Sequence, residues 1–364
     1  MAAVIRAAAT RAIARRSRAK SSPASIERCM SLHTRPMPPS MGAIHLVSSS
    51  PAAGQLIGAG ARKRIYSDDK LTSGPCDVDP ARHAELRRAW DIEVAGLPGI
   101  GWRKPLDLAT LRAAIAGDEP VVLWGTRAFS DLVWLWWALD GLRRVGAEGS
   151  RFFLARPYSD HPFATVGHLP PETAHIALAA ASPITDDEWR EGSELWLQYA
   201  SPSPLAFDEA RRRGSSVFPE LTSSADLHGA WFPRIKNGRL QLSELDEVLL
   251  GSFDDSWRTA FQKLPEHRVE QLVSPFDAYF SVERLRAWAT HGVLERESVT
   301  DDNPFEQDRF RTTDRARALL SRGLEGVADA PPMHVGGCRV NDPSSPWVRI
   351  EADSGWRLAA QGGP

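Results

Sequence analysis

A layered α/β fold is what this chain predicts, and three features carry the prediction. Short apolar runs at 44–47, 120–124 and 151–155 have the length of buried strands. Helical patterns stand between them, the arrangement of strand-helix units around a largely parallel sheet. Small turn-forming residues, Ser48–Ser50 and Gly125, close two of the runs.

The elements follow in order. Ile44-His45-Leu46-Val47 reads as a buried strand that turns through Ser48-Ser49-Ser50 into a helix, with Ser50 as N-cap and Pro51 at the first helical position. Arg64–Ser67 is a second strand, leading into the polar turn Asp68–Pro75. Residues 80–95 and 106–116 are helical in pattern. Pro120–Trp124 is a third strand, and the helix Phe129–Leu142 after it is apolar on most faces, as a buried helix is. Arg151–Ala155 is a fourth strand. Pro170 opens a helix to about Ala181, and Thr185 with Glu188 forms a capping box for another to about Tyr199. Ser201-Pro202-Ser203-Pro204 breaks the pattern.

Beyond that break the chain reads as mostly helical. Pro233–Gly238 reads as a turn, Ser243 caps a helix to Leu250, and Ser256–Leu264 and Phe276–Thr290 are further helices. His291-Gly292 ends the last of these; strands at 293–297 and near Phe310 follow, then a helix from Thr313 to Leu320. Helices followed by a hairpin are the order of a winged-helix module. The expected organisation is an extension over 1–40, disordered or arising from a mis-assigned start, a Rossmann-like α/β domain over 41–200, and a helical, winged-helix-like domain over 201–364.

Composition narrows the function classes. The 364 residues carry 42% hydrophobic and 25% charged side chains, in the range of globular proteins. Residues 1–40 hold eight Lys or Arg against one acid, Glu27; the rest holds 36 basic against 45 acidic side chains. An Arg- and Ala-rich, acid-poor start resembles a transit peptide in composition, but Met41 stands three residues before the first strand, and a mis-start or tail is the simpler expectation. An acidic body lacks the broad basic footprint of a phosphate-backbone binder. Three cysteines without C-x-x-C spacing suit a reducing, cytoplasmic setting. The longest apolar run, Leu132–Leu139, falls far short of the ~20 residues that span a bilayer. The ten histidines show no ligand spacing, so no metal is expected, and no cofactor fingerprint identifies a cofactor.

Several motifs in order resemble a bacterial family, domain of unknown function 1835. Its opening motif, I-H-x-V-x-G-D-S-x-A-x-x-L, compares with Ile44–Leu56, and its D-D-x-L-x-x-G-P with Asp68–Pro75. A strand ending in Trp-Gly compares with Val121–Gly125. Pro183-Ile184-Thr185 with Trp196, Asn237–Leu240 with Ser243-Glu244, and His334–Gly337 with Trp347 extend the likeness over most of 41–360. In the opening loop the serine run replaces the family's Gly-Asp. The resemblance implies the fold and a cleft, and no established activity.

The candidate site lies at the carboxyl ends of the strands, where open α/β sheets bind ligands. Ser48, Ser49 and Ser50 would form a hydroxyl-rich cradle for phosphate or carboxylate, or simply a capped turn. Asp68 and Asp69 close the second strand, placed to hold a ribose hydroxyl or do acid–base work, or to form an Asx turn. These two are the expected catalytic residues. Trp124 could stack on a ligand ring and Arg127 clamp an anion, or pack and be solvated respectively. His45 reads as a core residue. Residues 231–300 hold nine basic and eleven acidic side chains, too few basic for a DNA reader. Two readings follow. The first is an α/β domain that binds a small molecule, nucleotide or anion, with catalysis open. The second is a non-enzymatic regulatory protein whose winged-helix-like part makes the contact.

Overall fold

The computed structural model describes residues 39–67, 69–95, 107–158, 164–263, 278–298, 308–352 and 355–361. The expected extension lies outside these residues save its last two, and Asp68 lies outside them too.

A five-stranded sheet organises the first half. Its parts are β1 (Ile44–Val47), α1 (Ser50–Gly58), β2 (Lys63–Tyr66), α2 (Pro80–Ala95), α3 (Leu108–Ala114), β3 (Val121–Trp124), α4 (Phe129–Arg144), β4 (Phe152–Ala155), α5 (Pro171–Ala179), β5 (Ser182–Pro183) and α6 (Asp186–Tyr199). The strand order is β2-β1-β3-β4-β5. The first four are parallel, with Ile44 paired to Lys63 and to Val121, and Val121 to Phe152; β5 joins antiparallel. The fold is therefore mixed α/β with a parallel sheet at its centre.

Alternation along each strand divides the side chains between two layers. Ile44, Leu46, Val121, Leu123, Phe152 and Leu154 pack against α4 and α6. Val47, Val122, Trp124, Phe153 and Ala155 face α1 and α5. Helix α4 is buried from Asp131 through Leu142, because it lies between the sheet and α6, which accounts for its unbroken apolar run. The expected capping box holds: Glu188 N donates to Thr185 Oγ1 at 3.2 Å and Thr185 N to Glu188 Oε2 at 2.8 Å. One cap moves. Ser49, not Ser50, is the N-cap of α1; it has extended backbone and its hydroxyl accepts from Ala52 N at 3.3 Å, while Ser50 is already helical.

The second half comprises α7 (Leu205–Arg213), α8 (Leu221–Ala230), β6 (Arg234–Lys236), β7 (Arg239–Gln241), α9 (Glu244–Gly251), β8 (Arg258–Thr259), α10 (Ala260–Lys263), α11 (Ala278–Thr290), β9 (Leu294–Glu297), β10 (Arg309–Thr312), α12 (Asp314–Arg322), β11 (Met333–Val335), β12 (Cys338–Val340), β13 (Trp347–Ala352) and β14 (Gly355–Ala360). It is not mostly helical, as the sequence pattern suggested. It carries a three-stranded sheet β8-β10-β9, the hairpin β11-β12 and a four-stranded sheet β14-β13-β6-β7. The expected turn at Pro233–Gly238 is the tip of the hairpin β6-β7, with Asn237 and Gly238 both at positive φ, 52° and 71°. The helix expected over Ser256–Leu264 begins instead as β8, because Arg258 and Thr259 pair with β10.

The core of the first half extends past the Ser-Pro break through Phe207, Phe218 and Leu221 to Ala225, and the second core begins at Ala230. Contacts of the last strand tie late chain to α7. Asp208 Oδ2 accepts from Leu358 N at 3.1 Å, and Arg211 donates to the Trp356 carbonyl at 2.7 Å with its guanidinium 3.5 Å above that indole. The tip of β11-β12 seats against the end of α6: Gly337 N donates to the Tyr199 carbonyl at 3.0 Å, and Cys76 N to the Gly336 carbonyl at 2.9 Å. A Cβ on Gly337 would fall 1.9 Å from the Ala200 carbonyl oxygen, so only glycine fits.

Candidate functional site

Four chain segments meet at the carboxyl end of the sheet. They are the turn after β1 (Ser48, Ser49, Pro51), the segment after β2 (Asp69, Lys70, Leu71, Thr72), the first turns of α4 (Ser130, Asp131, Trp134) and the turn at Thr165–Gly167. Together they line a small concavity of about 30 Å³, open to solvent. Its position follows from topology: parallel strands deliver successive loops to one edge of the sheet.

Asp131 is the centre of this arrangement. It is 0% exposed and accepts four hydrogen bonds: from Ser48 Oγ at 2.7 Å on Oδ1, and on Oδ2 from Thr126 Oγ1 at 2.9 Å, Val166 N at 3.0 Å and Thr126 N at 3.2 Å. No cation pairs with it among the described residues. Burial pushes its carboxyl above the usual aspartate range, while the bonds from Ser48, Val166 and Thr126 act in the opposite direction. The carboxylate staples the turn after β1, the loop after β3 and the 165–167 turn to one another. It thereby fixes the shape of the cleft.

Asp69 is placed differently from its expected catalytic role. Its carboxylate is bonded to Arg87, itself fully buried, and Arg87 also donates to the carbonyls of Ser73 and of Lys70. The guanidinium lies 4.6 Å from the Trp90 ring centroid. Gly74, at φ 77°, passes so close that a Cβ would meet Arg87 and Trp90 at 2.6 Å. This ion pair holds the segment after β2 in shape, and it leaves Asp69 as a wall of the cleft rather than a bare carboxylate in it.

The other expected site residues divide. Ser48 and Ser49 line the cleft, the first bound to Asp131 and the second capping α1; Ser50 is exposed on the helix and is not among the lining residues. Trp124 is 0% exposed and its indole N–H donates to His45 Nδ1 at 3.0 Å, so it belongs to the layer between sheet and α1 and has no face for ligand stacking. Burial holds the His45 imidazole down at about 4, which keeps it neutral. Arg127 lies 5.4 Å from the Tyr158 ring, and its carbonyl accepts from Ser224 Oγ at 2.6 Å; it does not line the cleft.

Lys70, Thr72, Ser130, Asp131, Trp134 and Thr165 are polar or aromatic lining residues that the motifs did not single out. For Asp131 a signal was present: it is an acid in the first turn of a helix otherwise apolar enough to be buried. Complementing the helix dipole explains such an acid so readily that its distant partners go unseen.

Among the described residues no group of three or more His, Cys, Asp or Glu could hold a metal ion, and no helix is long and apolar enough to cross a membrane. No protein-family model matches this chain, and no curated protein matches it significantly.

Proposed function

We propose that this is a small-molecule-binding α/β protein of Rossmann-like design, with its ligand in the cleft at the carboxyl ends of β1, β2 and β3. One observation carries the reading: four separate segments converge there on one polar concavity, held by a buried carboxylate that four donors satisfy. The resemblance to domain of unknown function 1835 implies a cleft, which agrees with this reading. Asp69, the expected acid–base residue, is paired with Arg87 in the cleft wall.

The C-terminal half, in this reading, is a winged-helix-like packing module rather than a nucleic-acid reader. Several of its arginines are answered by carboxylates: Arg284 by Asp246, Arg286 and Arg296 by Asp308, Arg309 by Glu297, Arg311 by Glu295, and Arg317 by Asp255 and Asp314. A surface so neutralised releases few counterions on DNA. The β11-β12 tip touches Cys76 and the end of α6, where Tyr199 donates to the Leu71 carbonyl at 3.2 Å, so this half braces the segment after β2.

A thermal-shift screen of the full chain tests the proposal, with nucleotides, sugar phosphates, carboxylates and neutral sugars at millimolar concentration. Stabilisation by at least one class, weakened by Ser48→Ala, is the expected result. No stabilisation by any class would overturn it.

A further inference from the structure

We infer that the cleft seats an oxyanion, a phosphate or a carboxylate, whose oxygens are taken by the indole N–H of Trp134 and the ammonium of Lys70. This inference rests on the reading of the cleft as a ligand site and names the chemistry it takes.

Trp134 is 2% exposed and lines the cleft, yet its Nε1–H has no acceptor among the described residues. An indole N–H can only donate, and buried donors without partners are uncommon. Other tryptophans show the contrast. The N–H of Trp124 reaches His45 and that of Trp288 reaches Asp246 at 2.8 Å. Trp136 also lacks an acceptor, but Phe129, Phe207 and Phe218 surround it in the core, away from the cleft. The unmet donor at Trp134 is buried in a side chain that lines the cleft, and it selects an acceptor.

Lys70 points to the same chemistry. It is half-buried on the cleft wall, and no carboxylate or carbonyl among the described residues bonds its ammonium. The first turns of α1 and α4 add the positive ends of two helix dipoles at Ser49–Pro51 and Ser130. The carboxylates that line the cleft among the described residues are already answered. Asp69 is bonded to Arg87, and the oxygens of Asp131 are covered by four donors. What the wall has left to offer is mostly hydrogen-bond donors, with the hydroxyl of Ser130 able to turn either way and that of Thr165 held against His168 Nδ1 at 3.1 Å. A neutral sugar would need acceptors as well, and a cation would meet Lys70.

Calorimetric titration of the full chain with inorganic phosphate, acetate and glucose tests this, on the parent and on Trp134→Phe and Lys70→Met. Trp134→Phe keeps an aromatic ring and removes the donor; Lys70→Met keeps the chain length and removes the charge on a partly exposed residue. The expected result is binding of phosphate, acetate or both, weakened roughly tenfold or more in each variant. Phosphate alone marks a phosphoryl seat and acetate alone a carboxylate seat. Binding of glucose but of neither anion would overturn the oxyanion and leave the cleft standing as a ligand site. Anion binding untouched by both substitutions would overturn the seat. No binding here, and none in the broader screen, would overturn both readings.

Discussion

Each half of the chain buries an aspartate near a tryptophan, and the two halves treat that pair in opposite ways. In the C-terminal core Asp246 receives Arg284 through two bonds of 2.6 and 2.7 Å, the Trp288 N–H at 2.8 Å and Ser243 Oγ at 2.9 Å. Charge meets charge, and every donor is used. At the cleft, among the described residues, Asp131 has four neutral donors and no cation, and the N–H of Trp134, one turn further along α4, has no acceptor. A cluster closed on itself is what a core requires. A cluster left open at one edge is what a binding site can use.

The largest expected effect breaks the closed cluster. Arg284→Met leaves Asp246 buried without its cation and should lower unfolding stability by about 3–5 kcal/mol in denaturant titration. A loss near zero would mean that the cluster is not closed as described.

Gly337→Ala comes next. The added Cβ must push the β11-β12 tip away from Ala200, at a cost of about 1–3 kcal/mol by the same assay. Because that tip contacts Cys76, ligand stabilisation at the cleft should shrink as well. Unchanged stability with full ligand response would remove the bracing role of the C-terminal half.

The pH dependence sharpens the contrast further. Burial raises the Asp131 carboxyl in the folded state, so the fold binds a proton that the unfolded chain has released. Stability from this group is complete below the unfolded value of about 3.9 and is lost as pH rises through the raised value. His228, buried among Phe129, Tyr199, Phe207 and Phe232, runs the other way: burial, with Arg211 adding to it, lowers it to about 3. Its contribution is complete above about 6.5 and is lost as pH falls toward 3. Unfolding curves across pH for the parent, Asp131→Asn and His228→Gln should show each variant flattening its own limb. An identical pH profile in His228→Gln would show that the imidazole is not buried neutral.

The smallest effect belongs to Lys63 and Glu119, an ion pair about half exposed on both sides. Lys63→Ala should cost under about 1 kcal/mol, and salt should erase the difference.

The sequence made local features legible and hid those that depend on distant partners. The strands at 44–47, 121–124 and 152–155 and the Thr185 capping box depend on neighbours a few residues away, and each stands where the pattern put it. The sheet β14-β13-β6-β7 joins residues more than a hundred apart, and the alternation within strands as short as β6 and β7 was too brief to announce it. The edge of the cleft was readable from the turn after β1, because a strand followed by a helix has only one place to put that turn. Its chemistry was not. Asp69 looked free because Arg87 stands eighteen residues away, and Asp131 drew no reading because Ser48 and Val166 lie far from it in sequence. Trp124, the end of a strand, looked available to a ligand until His45 across the sheet was seen to take its N–H.

The most direct test of the open cluster follows one resonance. In a proton–nitrogen correlation spectrum the Trp134 indole signal is identified as the one that Trp134→Phe removes. Titration with inorganic phosphate or acetate should move that signal saturably while the Trp288 signal stays in place. A Trp134 signal that stays fixed while either anion binds would contradict the account.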